Sequence, residues 1–280
     1  MRANGYAKVN LALAVFPPSA DGYHPLRGIF QSVSLADTIE IVPSHEDGIE
    51  VSNDEAPADE TNLAWQAVEA VRRTARVSQP TTLTITKRIP SGAGLGGGSA
   101  DAAAALGLMA SRFSIAEEDV AELAESLGSD VPFGLAGGTC LVEGRGERLT
   151  AMPPLTAFAL AIVVPPFSMS TPTVFKRWDE LGGPEGEAIR DSSLPPELRG
   201  GRPIRNDLYP AAVSLDPRID DWRADLAGRW GTPVAMTGSG SALFGFFPTI
   251  DEANDAAASV DLACRLCTGV ELAEKGWEPV

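Results

Sequence analysis

Eleven residues, Pro90-Ser91-Gly92-Ala93-Gly94-Leu95-Gly96-Gly97-Gly98-Ser99-Ala100, hold five glycines and open directly into the alanine-rich helical pattern of Asp101 to Arg112. Without a Cβ, consecutive backbone amides can turn inward and an anion can approach them closely. The free amides and positive end of the following helix favour that anion further. The run reads as a phosphate cradle.

Two familiar cradles do not fit. A Walker-type loop needs Lys and then Ser or Thr after its last glycine, and the chain has no Gly-Lys dipeptide. Gly92, Gly94 and Gly97 satisfy G-x-G-x-x-G in form, but the stretch before them, Thr81 to Lys87, alternates polar and apolar residues. A first dinucleotide-binding strand is buried on both faces and reads as a continuous apolar run. The ribose-binding acid would fall at Glu117 or Glu118, inside a helical pattern and not at a strand end.

Four further segments carry polar groups in suggestive places. Tyr6-Ala7-Lys8-Val9-Asn10-Leu11 puts a basic and an amide side chain on one strand face. Ala20-Asp21-Gly22-Tyr23-His24 is a turn offering an aromatic ring and an imidazole. Gly128-Ser129-Asp130-Val131-Pro132 sets a carboxylate at a helix start, and Thr237-Gly238-Ser239-Gly240-Ser241 is a second glycine-rich turn. Taken singly, each has a plainer reading. Asp130 suits a helix N-cap, Lys8 a solvated strand face, Tyr23 and His24 a turn, and Phe175 a core position.

Periodicity supplies the elements that must position these groups. Val9, Leu11, Leu13 and Val15 alternate as a strand, and Thr38 to Val42 reads as another. Thr61 is expected to cap a helix to about Ala75, followed by a strand over 81–89. After the glycine run, Ala102, Leu106, Met109 and Phe113 mark one buried helix face. Ser114-Ile115-Ala116-Glu117 has the form of a capping box, with Gly128 closing the helix that follows. Pro153-Pro154 suggests a boundary, giving segments 1–154 and 155–280. Beyond it come a strand at 157–164, helices near 171–181, 206–214 and 217–229, and a strand from Ala242 to Phe247. Asp251 is expected to cap a last helix, and a final strand spans 264–271. Residues 182–203, rich in Gly, Pro and charge, read as a mobile surface loop.

The 280 residues, 44% hydrophobic and 21% charged, describe a globular chain with room for a large core. A net charge of −16 excludes a general nucleic-acid binder, which relies on phosphate neutralisation. No apolar run approaches a membrane span. The N-terminus carries Lys8 and Asn10 where a signal peptide would be apolar, so a cytoplasmic location is expected. Cys264 and Cys267 form a lone C-x-x-C without a second pair or a suitably spaced histidine, which favours a buried pair over a metal site.

The run Pro90 to Gly98, with Ser99 following, resembles the phosphate loop of the galactokinase, homoserine kinase, mevalonate kinase and phosphomevalonate kinase superfamily. With the Ala7-Lys8-Val9-Asn10-Leu11 strand, the Asp21-Gly22-Tyr23-His24 turn and the Gly128-to-Pro132 segment in the same order, the chain is similar along nearly its whole length to one branch. That branch phosphorylates the tertiary 2-hydroxyl of a cytidine-diphospho sugar alcohol in non-mevalonate isoprenoid synthesis. The resemblance implies an α+β, two-domain fold: an N-terminal ribosomal-protein-like domain with a left-handed β-α-β crossover, then a ferredoxin-like domain. It implies ATP and Mg²⁺ as cofactors, with residues Pro90, Ser91, Gly92, Ala93, Gly94, Leu95, Gly96, Gly97, Gly98, Ser99 and Ala100 on the ATP phosphates and Ser99 near the metal. Asp130 would be the catalytic base and Lys8 its charged neighbour. Asn10 and Thr171 would sit at the polyol, while Tyr23, His24 and Phe175 would hold the cytosine. Relatives often place Ser and Asn where Ala100 and Asp101 stand, so Asp101 is expected to add a negative charge at the phosphate end. Another kinase of the superfamily, acting on mevalonate or homoserine, or a non-catalytic nucleotide-binding protein, stays as an alternative. A nucleobase-reading Tyr23-His24 turn has no purpose in the former.

Overall fold

Strand β1 (Arg2–Val15) and strand β2 (Leu26–Pro43) pair antiparallel along their length, with irregularities between Tyr6 and Lys8 and between Asn10 and Ala12. The structure is a computed structural model describing residues 1–20, 22–190, 194–199 and 204–280. After β2 come β3 (Gly48–Val51), α1 (Leu63–Ala75), β4 (Thr81–Thr86), α2 (Gly97–Phe113), α3 (Glu117–Leu127), α4 (Val131–Ala136), β5 (Thr139–Gly144) and β6 (Arg148–Ala151). The second half holds β7 (Ala159–Val164), α5 (Thr171–Glu180), α6 (Pro196–Arg199), α7 (Tyr209–Leu215), α8 (Arg218–Trp230), β8 (Val234–Met236), β9 (Leu243–Phe247), α9 (Ile250–Ala258), β10 (Leu266–Val270) and β11 (Trp277–Pro279).

The first sheet runs β11-β1-β2-β4-β3, with β5 on the N-terminal part of β2 and β6 beside β5. Parallel strands β3 and β4, joined through α1, form its β-α-β unit. The second sheet runs β10-β7-β9-β8, antiparallel throughout. Its β-α-β-β-α-β succession is the ferredoxin-like arrangement, so the fold is the two-sheet α+β architecture that the resemblance implies.

Helix α2 is buried on nearly every side, which an alanine-rich sequence permits. It lies between the first sheet and α1, in a core with Val68, Val71, Leu83 and Ile85. A second core joins the two sheets: Val9 and Leu11 of β1 and Ala93 and Leu95 of the glycine run pack with Leu160, Ile162, Phe244 and Phe246. The phosphate loop is therefore seated where the two halves meet.

Several boundaries differ from the sequence reading, each for a local reason. Asn62, not Thr61, caps α1: its Oδ1 accepts from the amides of Ala64 and Trp65. The Ser114–Glu117 capping box does not form, because Ser114 takes a left-handed conformation that ends α2. Thr249, not Asp251, caps α9 by accepting from the Glu252 amide. The strand expected over 81–89 stops at Thr86, where Arg88 and Ile89 turn their amides to Asp37. The chain does not close on β10. Trp277 returns to β1, and its indole fills the space that Gly107 leaves on α2. Among the described residues of 182–203, Leu194 is buried, α6 is formed and Ile189 is bridged to Ile204. Residues 191–193 and 200–203 of that stretch, like Asp21 of the Tyr23 turn, lie outside the described residues.

Candidate active site

The glycine run is held from behind by its carbonyls. Ser91 O accepts from Arg265 Nη2 at 2.9 Å, Gly92 O from the Met169 amide at 3.3 Å, and Ala93 O from the Ala242 amide at 3.0 Å. Gly94 O accepts from Thr237 Oγ1 at 3.2 Å and Leu95 O from the Lys8 amide at 3.0 Å. Consecutive carbonyls fixed outward leave consecutive amides to face the cleft. Gly92, Gly94 and Gly96 all have positive φ, at 61°, 79° and 72°, while Ala93 and Leu95 between them drop into the core. Gly96 then opens α2 without a side-chain cap, so the first amides of that helix keep their positive end open to a ligand.

At the end of this loop sit Lys8 and Asp130. Lys8 is almost fully buried on β1, its Nζ 5.0 Å above the Phe30 ring. Nζ donates to Asn10 Oδ1 at 2.6 Å and lies 3.5 Å from Asp130 Oδ2. A Cβ on Gly96 would lie 3.1 Å from Lys8 Cγ and 3.8 Å from Asp130 Oδ2, so the pair borders the loop directly. Asp130 occupies the N-cap position of α4, but its side chain makes no capping bond. The plainer reading of Asp130 as a helix cap is not what the geometry shows. Asn10 Nδ2, buried in the cleft wall, has no hydrogen-bond partner among the described residues.

The turn bearing Tyr23 and His24 faces one side of α5. His24 Nε2 lies 2.8 Å from Asp179 Oδ1, and the imidazole packs against Phe175 and Trp178 at centroid distances of 5.1 and 5.6 Å. With Nε2–H donating to the carboxylate, Nδ1 is the ring nitrogen left for a ligand. The Tyr23 ring is exposed and carries the Arg145 guanidinium 4.7 Å from its centroid. Thr171 begins α5, with its hydroxyl 2.7 Å from that of Ser239.

These groups share one cleft of about 780 Å³, lined by Lys8, Asn10, Tyr23, His24, residues 90–99, Asp130, Thr171 and Phe175. Of the residues given a role at the ATP or substrate site, Ala100 stands back, buried at the first turn of α2. Ser239 of the second glycine-rich turn also lines the cleft, as do Arg145, Lys176 and Asp179, which the sequence did not single out. Asp179 lies four residues after Phe175 on α5, on the same helix face, a signal available once that helix is placed. Arg145 lies at the β5–β6 turn, which no local pattern marks. Three basic side chains in one cleft of so acidic a chain suit an anionic ligand. A second cavity of about 670 Å³, between Gln31, Thr139, Phe158 and Glu271, is lined by no lysine or arginine.

Asp101 does not present its charge at the phosphate end. It is buried with Lys87, whose Nζ lies 2.7 Å from its carboxylate and also bonds Asp37. Burial pushes the Asp101 carboxyl well above the usual range, Lys87 draws it back, and Asp37 raises it further. Asp37 accepts two backbone amides, whereas Asp101 Oδ1 has no partner among the described residues. Cys264 and Cys267 are half-buried, and burial together with the neighbouring thiol pushes Cys267 up to about 12. Among the described residues no cluster of His, Cys, Asp or Glu could hold a metal ion by itself, and no helix is long and apolar enough to cross a membrane.

Known proteins are similar to this chain in sequence and fold. The GHMP kinases N terminal domain matches residues 62–138. A 4-diphosphocytidyl-2-C-methyl-D-erythritol kinase from Carboxydothermus hydrogenoformans is 35% identical, covering 89% of each chain. One from Corynebacterium efficiens is 38% identical over 94% of this chain and 88% of its own. The crystal structure of a 4-(cytidine 5'-diphospho)-2C-methyl-D-erythritol kinase superposes with a TM-score of 0.76 at 33% identity, covering 97% of this chain and 99% of that one. A homoserine kinase from Cytophaga hutchinsonii, at 17% identity and a TM-score of 0.71, shares the fold.

Proposed function

The chain belongs to the 4-diphosphocytidyl-2-C-methyl-D-erythritol kinases of the GHMP kinase family, and from that premise we propose the following reaction and division of labour. The protein transfers the γ-phosphoryl group of ATP to the 2-hydroxyl of 4-diphosphocytidyl-2-C-methyl-D-erythritol, a step of non-mevalonate isoprenoid synthesis, in the cytoplasm. Segment 1–154 is the ATP-binding and catalytic part, and segment 155–280 closes the substrate side.

The loop of residues 90–100 holds the ATP phosphates through the amides between Gly92 and Ser99. Transfer of a phosphoryl group through a loose transition state demands alignment and charge stabilisation more than covalent help. Lys8 stabilises charge on the transferring oxygens. A carboxylate is too weak a base to deprotonate a free alcohol in advance, and Asp130 has another part to play. It orients the hydroxyl and accepts its proton as the bond to phosphorus forms. Asn10 holds the polyol through Nδ2, and Thr171 lies near the same hydroxyls. Tyr23 and Phe175 stack on the cytosine, and His24, fixed through Nε2 by Asp179, reads its edge through Nδ1.

Mg²⁺ travels with ATP. The absence of a carboxylate cluster among the described residues fits an ion held mainly by phosphate oxygens and water. Ser99, on the loop in the same cleft, would offer the ion its hydroxyl. When bound, the ion neutralises charge on the phosphates.

The observation that carries the reading is the Lys8–Asp130 pair, 3.5 Å apart beside Gly96. ADP release measured over a panel of alcohols tests it. Turnover is expected with the cytidyl-diphospho sugar alcohol and not with mevalonate or homoserine. Equal turnover with all of them would remove the nucleobase assignment, and no ADP release with any would remove the kinase assignment.

A further inference from the structure

The first residue of the phosphate loop after Pro90 is gripped on both its polar backbone atoms by side chains remote in sequence. One oxygen of Glu55, Oε2, accepts from the Ser91 amide at 2.7 Å and from Ser91 Oγ at 3.0 Å. The same oxygen lies 2.7 Å from Arg265 Nη2, which also donates to Ser91 O at 2.9 Å. Glu55 comes from the connection between β3 and α1. Arg265 comes from the far half of the chain, immediately before β10, where its own amide is fixed to Val164 O at 2.8 Å. Partial burial disfavours the charged form of Glu55, yet the Ser91 donors and Arg265 together hold its carboxyl below the usual range.

The grip falls where the loop has least else to hold it. The carbonyls of Gly92, Ala93 and Leu95 are held by backbone amides, and Gly94 O by the buried Thr237. The anchors of Ala93, Gly94 and Leu95 lie deep between the two sheets. Ser91, in contrast, is exposed and precedes Gly92, a glycine at φ 61° whose Cβ position meets nothing closer than 3.4 Å. Neither packing nor a Cβ fixes the peptide there, so side-chain hydrogen bonds must.

We infer that Glu55 and Arg265 form a clamp on Ser91 that pre-sets the phosphate loop for nucleotide, acting as positioning residues rather than on the reacting atoms. This rests on the kinase reading and adds residues to it. A partly buried ion pair of this kind, still open to solvent, contributes modestly to global stability. Its effect falls on the loop, where an ordered cradle binds without first losing its own freedom. Loss of the clamp therefore weakens nucleotide binding selectively.

Arg265→Ala, Arg265→Lys and Glu55→Gln in the full chain test this by three readouts. These are the Kd for the β,γ-imido analogue of ATP, KM for each substrate, and amide exchange of the peptide spanning 90–100. For Arg265→Ala, nucleotide Kd and KM should rise roughly tenfold, the effect of about one lost charge-assisted hydrogen bond. Exchange across 90–100 should quicken, with KM for the alcohol and Tm near wild type. Arg265→Lys, which keeps a donor, should recover part of the loss. Unchanged nucleotide affinity and loop exchange in a variant that still turns over would overturn the clamp while leaving the kinase reading intact. So would a rise in both KM values alongside a large fall in Tm, which marks a general structural role. Wild-type protein that binds no nucleotide would overturn both. Glu55→Gln, a milder change that keeps an acceptor, supplies the comparison should Arg265→Ala fail to fold.

Discussion

Gly94→Ala separates backbone strain from loss of a close packing contact. Gly94 has φ 79°, and a Cβ there would lie 2.3 Å from Thr237 O and 3.1 Å from Thr237 C. Relief to an ordinary 3.4 Å contact moves the two turns apart by about 1.1 Å, the difference between 3.4 and 2.3 Å. The left-handed conformation alone costs a non-glycine residue about 1–2 kcal/mol. Gly182 supplies the control, since it has φ 81° and nothing within 4 Å of its Cβ position. Gly182→Ala therefore carries strain without collision, and a Tm fall of roughly 2–8 °C with unchanged turnover is expected. Gly94→Ala carries the same strain and also displaces the amides that hold phosphate. A misplacement of about 1 Å at a reacting centre can cost around 100-fold, so kcat/KM for ATP should fall by about that factor. Thermal denaturation and coupled ADP release on the two variants decide it. If Gly94→Ala turned over ATP within about threefold of Gly182→Ala, the tight seating of the loop on Thr237 would have no part in catalysis.

Further outcomes follow from the same geometry. Thr237→Val keeps the shape but leaves the Asn10 amide and Gly94 O without their buried partner. It should lower stability by about 1–3 kcal/mol in denaturant unfolding, and a neutral result would contradict the role given to that hydroxyl. Asp179→Ala frees the imidazole held at 2.8 Å. KM for the cytidyl substrate should then rise roughly tenfold with KM for ATP unmoved, and equal changes in both would refute the assignment. Asp101→Asn tests the buried Lys87 cluster through pH. A carboxyl whose folded pKa is raised binds its proton more tightly in the native state. Its contribution therefore favours the fold at low pH and erodes as pH rises from the carboxylate range near 3.9 towards about 8. Wild type should lose stability between pH 5 and 8 more steeply than Asp101→Asn, and parallel curves would contradict the assignment.

The elements were legible wherever apolar spacing was regular. Strands at Val9–Val15 and 159–164 and the helix after the glycine run all lie where period-two or helical patterns put them. Caps were harder to read, because neighbouring Thr61 and Asn62, or Thr249 and Asp251, are equally able to accept an amide and only the chain path chooses. Ser114 to Glu117 has capping-box residues, yet the turn between α2 and α3 needs a left-handed residue at Ser114, and that requirement wins. The cleft was legible where it rests on contiguous motifs, as in 90–99 and 8–10. Arg145, Glu55 and Arg265 were not, since long-range pairing alone brings them to the site, and Asp101 was misjudged because its partner Lys87 sits across a turn.

Asp130→Asn gives the most direct test of the central claim, that a carboxylate beside the glycine loop steers an alcohol onto ATP. The substitution keeps shape and changes the group 3.5 Å from Lys8. Single-turnover ADP release with the cytidyl-diphospho sugar alcohol should slow by roughly 10²–10⁴-fold, the range of a lost general base, with affinity for the β,γ-imido analogue of ATP unchanged. Single-turnover release at the wild-type rate would show that this carboxylate does not take part in the transfer.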